Sequence, residues 1–140
     1  GIYLQGIDFV VDAIDSLGPK VGLLEDALSR KIKIVSSMGA AGRVDPAKIR
    51  LGDLSETDVC PLAKRVRKYL KRRGFSQGLP VVYSLELPVR SFNRDECEVD
   101  NERPFRGRDR NLLSSSSYIP AIMGMWAASY VLREIRKKKD

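Results

Sequence analysis

The chain of 140 residues is 43% hydrophobic and 31% charged, a composition typical of one soluble globular domain with a buried core. It contains no histidine, which excludes Ser-His and Cys-His nucleophile pairs made from its own residues. Its two cysteines fit no metal-binding spacing and are too few for a disulfide framework, so we expect a reducing compartment. The net charge of +7 favours a polyanionic partner such as nucleic acid.

No apolar stretch is long enough to span a bilayer, and the N-terminus lacks the basic start of a secretory signal. We therefore expect a cytoplasmic protein with no membrane insertion.

The first third of the chain has the pattern of a β-α-β unit. Residues 8–14 read as a fully buried strand because residues 9–11 are consecutive and apolar. Pro19 suits the first turn of the following helix. Residues 33–37 form a second strand, parallel to the first through a crossover. This pattern predicts half of a doubly wound nucleotide-binding fold.

The rest of the chain continues the α/β alternation. We predict strands at 49–54 and 80–85, and a helix at 61–73. Residues 88–117 are polar and charged with little periodicity, which predicts a flexible loop. A last helix covers 120–137. The inward positions of the helix at 61–73 are Leu62, Val66, Tyr69 and Leu70. The positions available for packing on the last helix are Ile122, Met125, Trp126, Ser129, Val131 and Leu132.

Acidic side chains at the end of the first strand indicate a ligand site. Asp12, Asp15 and Ser16 lie between an apolar strand and a helix, where open α/β sheets bind their ligands. By position alone, Asp12 could instead cap a loop, and Asp15 could be the helix N-cap. Lys20 follows in the first helical turn, where the alternative is a solvated lysine.

A small-residue turn follows the second strand. Gly39 and Gly42 bracket two alanines, so the backbone can approach a ligand closely and its N–H groups could face an anion. Asp45 and Pro46 come next, and by themselves they read equally as a turn former.

Together, D-A-I-D-S at 12–16 and M-G-A-A-G-R-V-D-P at 38–46 closely resemble the MoeB/ThiF superfamily of ATP-dependent carboxylate-adenylating enzymes. Within it, the turn followed by R-V-D-P, with Y-S-L-E at 83–86, is most similar to the tRNA threonylcarbamoyladenosine dehydratases. The resemblance implies a partial Rossmann-like fold of ThiF type, with a mostly parallel sheet flanked by helices.

The chain contains no G-x-G-x-x-G, so by resemblance it corresponds to the distal portion of such an enzyme. Residues 1–58 would be the distal half of the nucleotide-binding fold. Residues 59–140 would supply the basic helix, a strand, the loop and the C-terminal helix of the same domain.

The resemblance implies a reaction: ATP-dependent dehydration, by cyclisation, of threonylcarbamoyladenosine in tRNA through an acyl adenylate on the threonyl carboxylate. Asp15 would hold Mg²⁺ and Lys20 would assist at the phosphates. Asp12, Ser16, Gly39 and Gly42 would join Asp15 in binding ATP. The family is commonly dimeric, so we expect a homodimer.

One predicted helix carries an unusually dense basic cluster, for which phosphate-backbone contact with tRNA is the natural use and a solvated face is the alternative. Its members are Lys64, Arg65, Arg67, Lys68, Lys71, Arg72 and Arg73.

Two other functions stay open. The first is adenylation of a ubiquitin-like or sulfur-carrier protein at its C-terminus, with Cys60 as nucleophile and a sulfur-transfer protein as partner. Cys60 stands where the dehydratase group more often has Asp before Pro-Leu-Ala, which weakens this alternative, and Cys97 in an acidic loop is interpreted as incidental. The second is a non-catalytic tRNA-binding or scaffold fragment.

Overall fold

The computed structural model describes residues 4, 6–89 and 116–137, which fold around one four-stranded sheet. Its elements are β1 (Phe9–Asp12), α1 (Leu17–Ser29), β2 (Lys33–Ser37), β3 (Ile49–Asp53), α2 (Pro61–Arg72), β4 (Pro80–Ser84) and α3 (Tyr118–Arg136). Short 3-10 helices precede and follow β3, at Pro46–Lys48 and Leu54–Glu56.

The sheet order is β1-β2-β4-β3, and the α/β class expected from the sequence is confirmed. β1 runs parallel to β2 and β2 runs parallel to β4, with Asp12 opposite Ser36 and Ser36 opposite Val81. β3 is antiparallel to β4. The carboxyl ends of β1, β2 and β4 therefore meet at one edge of the sheet, which we call the carboxyl edge.

Helices cover both faces of the sheet. On one face, Leu24 of α1 and Val66 of α2 join a cluster with Ile34 and Val81 of the strands. On the other face, the buried residues of α3 pack against Val35 and Val82; they are Ile119, Met123 and Ala127. The apolar runs of β2 and β4 thus fill two cores, as expected for strands covered on both sides.

The prediction of a fully buried first strand is wrong. β1 is shorter than the predicted range of 8–14, and Val11 is 56% exposed. β1 lies at the edge of the sheet, where β2 is its neighbour within the described residues. An edge strand leaves part of its surface uncovered, whatever its composition.

Two of the predicted helix faces also need correction. On α2, Val66 and Leu70 are buried as expected, but Tyr69 is 37% exposed and lies 5.9 Å from the Arg72 guanidinium. On α3, the predicted packing positions Met125 and Leu132 are exposed, and Trp126 is 39% exposed. The sheet selects a different side of α3, centred on Met123.

Most predicted boundaries lie within two residues of those observed; β1 ends two residues early and α3 begins two residues early. Of the predicted 88–117 loop, residues 90–115 lie outside the described residues, as does Cys97. Within the described ranges, no helix combines the length and apolarity needed to cross a membrane.

Candidate functional site

A buried ion pair lies at the carboxyl edge of the sheet. Asp12 is the last residue of β1, and Lys20 lies in the first turn of α1. Lys20 Nζ is 2.7 Å from Asp12 Oδ2, and both side chains are fully buried. Neither charge would be tolerated there alone, because burying an unpaired charge is costly.

Further hydrogen bonds complete this ion pair. Ser36 Oγ donates to Asp12 Oδ2 at 2.5 Å, and the Ile14 N–H donates to Asp12 Oδ1 at 2.9 Å. Lys20 Nζ also donates to the carbonyls of Ile14 at 3.1 Å and Ser37 at 2.8 Å. The three protons of the ammonium thus have three acceptors. β1, β2, α1 and the loop after β1 are joined at one point.

This geometry decides between the interpretations of Lys20 and Asp12. Lys20 is not a solvated first-turn lysine, because its side chain is fully buried beside its acidic partner Asp12. Asp12 caps the loop that follows it, through its bond to Ile14. Every proton of the Lys20 ammonium is already used inside the protein. Contact of Lys20 with a phosphate stays a prediction, and it would require this pair to open.

Asp15 and Ser16 lie on the loop between β1 and α1, and both are exposed. The N-cap of α1 is Ser16, without a side-chain cap hydrogen bond, so the interpretation of Asp15 as the N-cap is wrong. Asp12 and Lys20 hold the loop that carries Asp15 through their hydrogen bonds to the Ile14 backbone. The structure therefore presents an exposed carboxylate at the carboxyl edge.

The turn at residues 39–42 leaves β2 beside that loop. The buried Arg43 side chain holds it, donating through Nη1 to the carbonyls of Gly39 and Ala41, and through Nε to the Glu86 carbonyl at 3.2 Å. Gly42 has φ +72°, and a Cβ there would lie 2.8 Å from the Val89 carbonyl oxygen. Glycine is required at this position by conformation and by space.

Glu86 fastens the segment after this turn, a role that the Y-S-L-E motif alone did not show. Its carboxylate accepts the N–H groups of Val44 at 3.0 Å and Asp45 at 2.9 Å. Tyr118 Oη donates to the Val44 carbonyl at 2.8 Å. Asp45 accepts from the Ala47 N–H at 2.9 Å, which confirms its turn-forming role. The ends of β2 and β4 are thereby held together.

Cys60 is the N-cap residue of α2 and is only 1% exposed. It belongs to the core cluster under α1 and α2. A Cβ on Gly39 would lie 3.7 Å from Cys60 Sγ, so the thiol packs beneath the 39–42 turn. A nucleophile must reach its substrate, and this thiol is enclosed.

The basic helix α2 divides into two groups of side chains. Arg67 Nη1 donates to the carbonyl and the hydroxyl of Thr57, and Arg73 Nε pairs with Glu25 at 2.8 Å, so these two arginines have partners inside the protein. The other five are exposed on the side away from the buried residues of α2. We call them the basic face: Lys64, Arg65, Lys68, Lys71 and Arg72.

A cavity of about 480 Å³ lies elsewhere, between β3 and α3. It is lined by Asp53 at the end of β3, Pro80 at the start of β4, and Tyr130. The antiparallel direction of β3 places these strand ends opposite the carboxyl edge. No residue predicted from the sequence to bind a ligand lines this cavity.

Replacing Lys20 with Met tests the buried pair. Lys20→Met leaves the Asp12 carboxylate buried and unpaired, so the free energy of unfolding should fall by about 3–5 kcal/mol in urea denaturation. Lys64→Met on the exposed basic face is the control, with an expected change below about 0.5 kcal/mol. Equal stability of the two variants would contradict the buried pair.

Replacing Glu86 with Ala tests the fastening of the 42–45 segment. The N–H groups of Val44 and Asp45 lose their acceptor, so we expect faster hydrogen exchange at these two amides and a loss of about 1–3 kcal/mol in stability. NMR-detected exchange is the measurement, and Glu25→Ala in a surface ion pair is the control. Unchanged exchange at both amides would show that Glu86 does not hold the segment.

Comparison with known proteins yields curated relatives of one kind. The chain is 36% identical over 140 residues to tRNA threonylcarbamoyladenosine dehydratase 2 of Saccharomyces cerevisiae, covering 94% of this chain and 31% of the relative. It is 33% identical to the Bacillus subtilis tRNA threonylcarbamoyladenosine dehydratase, covering 94% of this chain and 52% of the relative. No family model matches.

Solved structures agree with these relatives. The Escherichia coli dehydratase TcdA in complex with AMP superimposes with a TM-score of 0.76 at 28% identity, covering 98% of this chain and 52% of that one. Its complex with ATP gives a TM-score of 0.74. The chain spans about half the length of the bacterial relatives and a third of the yeast one. Over that span, it is similar in sequence to tRNA threonylcarbamoyladenosine dehydratases and has a ThiF-type fold.

Proposed function

We propose that this chain forms part of an ATP-dependent enzyme that cyclises threonylcarbamoyladenosine in tRNA, working in the cytoplasm as a homodimer. The observation that carries the proposal is the exposed Asp15, held at the carboxyl edge of the sheet by the buried Asp12–Lys20 pair. Solved relatives were crystallised with AMP and with ATP, which supports nucleotide binding at this fold.

The donor set suits Mg²⁺ bound together with a nucleotide. Mg²⁺ at phosphates uses one or two protein carboxylates and completes its shell with phosphate oxygens and water. Asp15 supplies one exposed carboxylate, and the described residues contain no cluster of three or more metal-ligating side chains. Asp15 would therefore hold the ion, which would offset negative charge on the phosphates.

In the proposed reaction, the threonyl carboxylate oxygen attacks the α-phosphorus of ATP and pyrophosphate leaves. The neighbouring carbamoyl group then closes onto the activated carbonyl carbon and displaces AMP. Ring closure is intramolecular, so positioning contributes much of the acceleration. The chain contributes by orientation: Asp15 and Ser16 lie on one anchored loop, and Gly39 and Gly42 lie on another.

In this paired state, Lys20 acts on the site through the loop that carries Asp15. Its ammonium is committed to Asp12 and to the carbonyls of Ile14 and Ser37. Contact with a phosphate would require this buried pair to open. We therefore assign Lys20 and Asp12 as positioning residues for Asp15.

The basic face of α2 is the proposed tRNA contact. Its five side chains have no acidic partner within ion-pair distance in the described part of the chain, unlike Arg73. Positive charges without a carboxylate partner are available to phosphates, and the one aromatic side chain of α2, the exposed Tyr69, already lies against the Arg72 guanidinium. The basic face would therefore recognise the shape and backbone charge of tRNA and would not read its base sequence.

The alternative function as an activator of a ubiquitin-like or sulfur-carrier protein receives less support. The nucleophile that the sequence suggested for it is Cys60, whose side chain lies in the core. The dehydratase reaction needs no thiol.

Calorimetric titration of ATP with Mg²⁺ tests the nucleotide site. We expect binding by the 140-residue chain, a loss of at least tenfold in affinity in Asp15→Ala, and unchanged affinity in Asp26→Ala on the surface of α1. Absence of binding by the unmodified chain would favour the non-catalytic tRNA-binding or scaffold alternative. Equal affinity of the unmodified chain and Asp15→Ala would contradict the role of Asp15.

Charge reversal on the basic face tests the tRNA contact. Lys64→Glu with Lys68→Glu should weaken tRNA binding, and each lost phosphate contact should reduce the slope of log K against log salt by about 1. The matched control is Lys31→Glu with Lys48→Glu, two exposed lysines outside α2. Equal weakening by both pairs in a filter-binding assay would indicate general charge attraction instead of a defined face.

A further inference from the structure

Arg43 brings a positive charge into the protein without a carboxylate partner among the described residues. Arg43 is 2% exposed, and guanidinium groups in proteins stay protonated. Its acceptors in the described part of the chain are the backbone carbonyls of Gly39, Ala41 and Glu86, and Nη2 has no acceptor there. The Glu86 carboxylate is directed to backbone N–H groups instead. A buried charge without a counterion is costly, so the surroundings of this guanidinium favour an anion.

Arg43 also fixes the direction of the peptide groups in the 39–42 turn. Its Nη1 donates to the carbonyls of Gly39 and Ala41. A trans peptide is planar, and its C=O and N–H groups point in opposite directions. The N–H groups of Ala40 and Gly42 belong to the same two peptides, so they point away from the guanidinium.

These N–H groups are available to a ligand. Within the part of the chain that the structure describes, no backbone N–H of residues 39–43 donates a hydrogen bond. Ala40 and Ala41 are half-buried, so a small ligand can reach the turn, whereas Arg43 and Cys60 are buried on its inner side. Neighbouring backbone N–H groups that point to one side form anion-binding concavities.

We propose that Arg43 is a positioning residue that makes the 39–42 turn an oxyanion site. The guanidinium holds two carbonyls on the inner side, which turns the N–H groups of Ala40 and Gly42 outward, and its unpaired charge makes the turn positive. This inference deepens the proposed function and rests on it for the source of the anion. That source is a nucleotide phosphate or the substrate carboxylate, which both present an anionic oxygen and must meet for adenylation.

The shape of the guanidinium suits this role. Nη1 bonds to two carbonyls of the turn while Nε reaches a third carbonyl, that of Glu86. A lysine ammonium is a single point charge and lacks this rigid fork. Arg43→Lys therefore keeps the charge and loosens the turn, whereas Arg43→Gln keeps an amide donor and removes the charge.

The experiment is an NMR titration with the amide signals of Ala40 and Gly42 as the readout. The probes are inorganic pyrophosphate without Mg²⁺, N-carbamoyl-L-threonine as the carboxylate, and adenosine as a neutral control. The proteins are the unmodified chain, Arg43→Gln, Arg43→Lys and the control Arg50→Gln. Arg50 also donates to a backbone carbonyl, that of Ala47 at 2.7 Å, but it is exposed to solvent.

We expect at least one of the two anions to shift both amide signals in the unmodified chain, and adenosine to shift neither. The anion that binds identifies the source. Arg43→Gln should weaken its binding about tenfold or more, because the buried charge is lost. Arg43→Lys should weaken it less, and Arg50→Gln should leave it unchanged. The amide signals of the sheet show whether each variant is folded.

Shifts at neither amide with either anion would overturn the oxyanion site, and that result requires no variant. Equal affinity of the unmodified chain and the Arg43 variants, or an equal loss in Arg50→Gln, would overturn the role of Arg43. Arg43→Lys, the smaller change, decides this point where Arg43→Gln does not fold. Because Mg²⁺ is absent, none of these results depends on Asp15. Failure of the proposed nucleotide site is detected separately, by the calorimetric titration of ATP with Mg²⁺.

Discussion

The buried ion pair between Asp12 and Lys20 is the constraint on which the candidate site depends. It joins the end of β1, the start of α1 and, through Ser36 and Ser37, the end of β2. Buried pairs of this kind often add little net stability, but they tolerate few alternative arrangements once formed. Here the consequence is positional: the loop that carries Asp15 starts and ends at the pair.

A second network acts on the neighbouring strand ends. Arg43 holds the 39–42 turn through carbonyl groups, and Glu86 holds Val44 and Asp45 through their N–H groups. In one short segment, the Arg43 guanidinium thus satisfies backbone carbonyl groups and the Glu86 carboxylate satisfies backbone N–H groups. Two rigid loops at one sheet edge are what a positioning mechanism needs, because a misplaced reacting group costs rate.

The chain covers about half the length of its bacterial relatives. Three of its surfaces stand out by their chemistry. The carboxyl edge presents Asp15, α2 presents the basic face, and α3 presents exposed apolar side chains. These three surfaces lie on different elements and differ in chemistry.

The sequence by itself determined the fold class, most element boundaries to within two residues, and the motifs that resemble the dehydratases, because these depend on local periodicity and short runs of residues. Only the tertiary structure decided that Lys20 pairs with Asp12, that Glu86 fastens Val44, and which side of α3 faces the sheet. These outcomes join residues far apart in the chain or depend on the neighbour that an element meets. An apolar α3 with two usable sides could be placed only by the sheet beneath it.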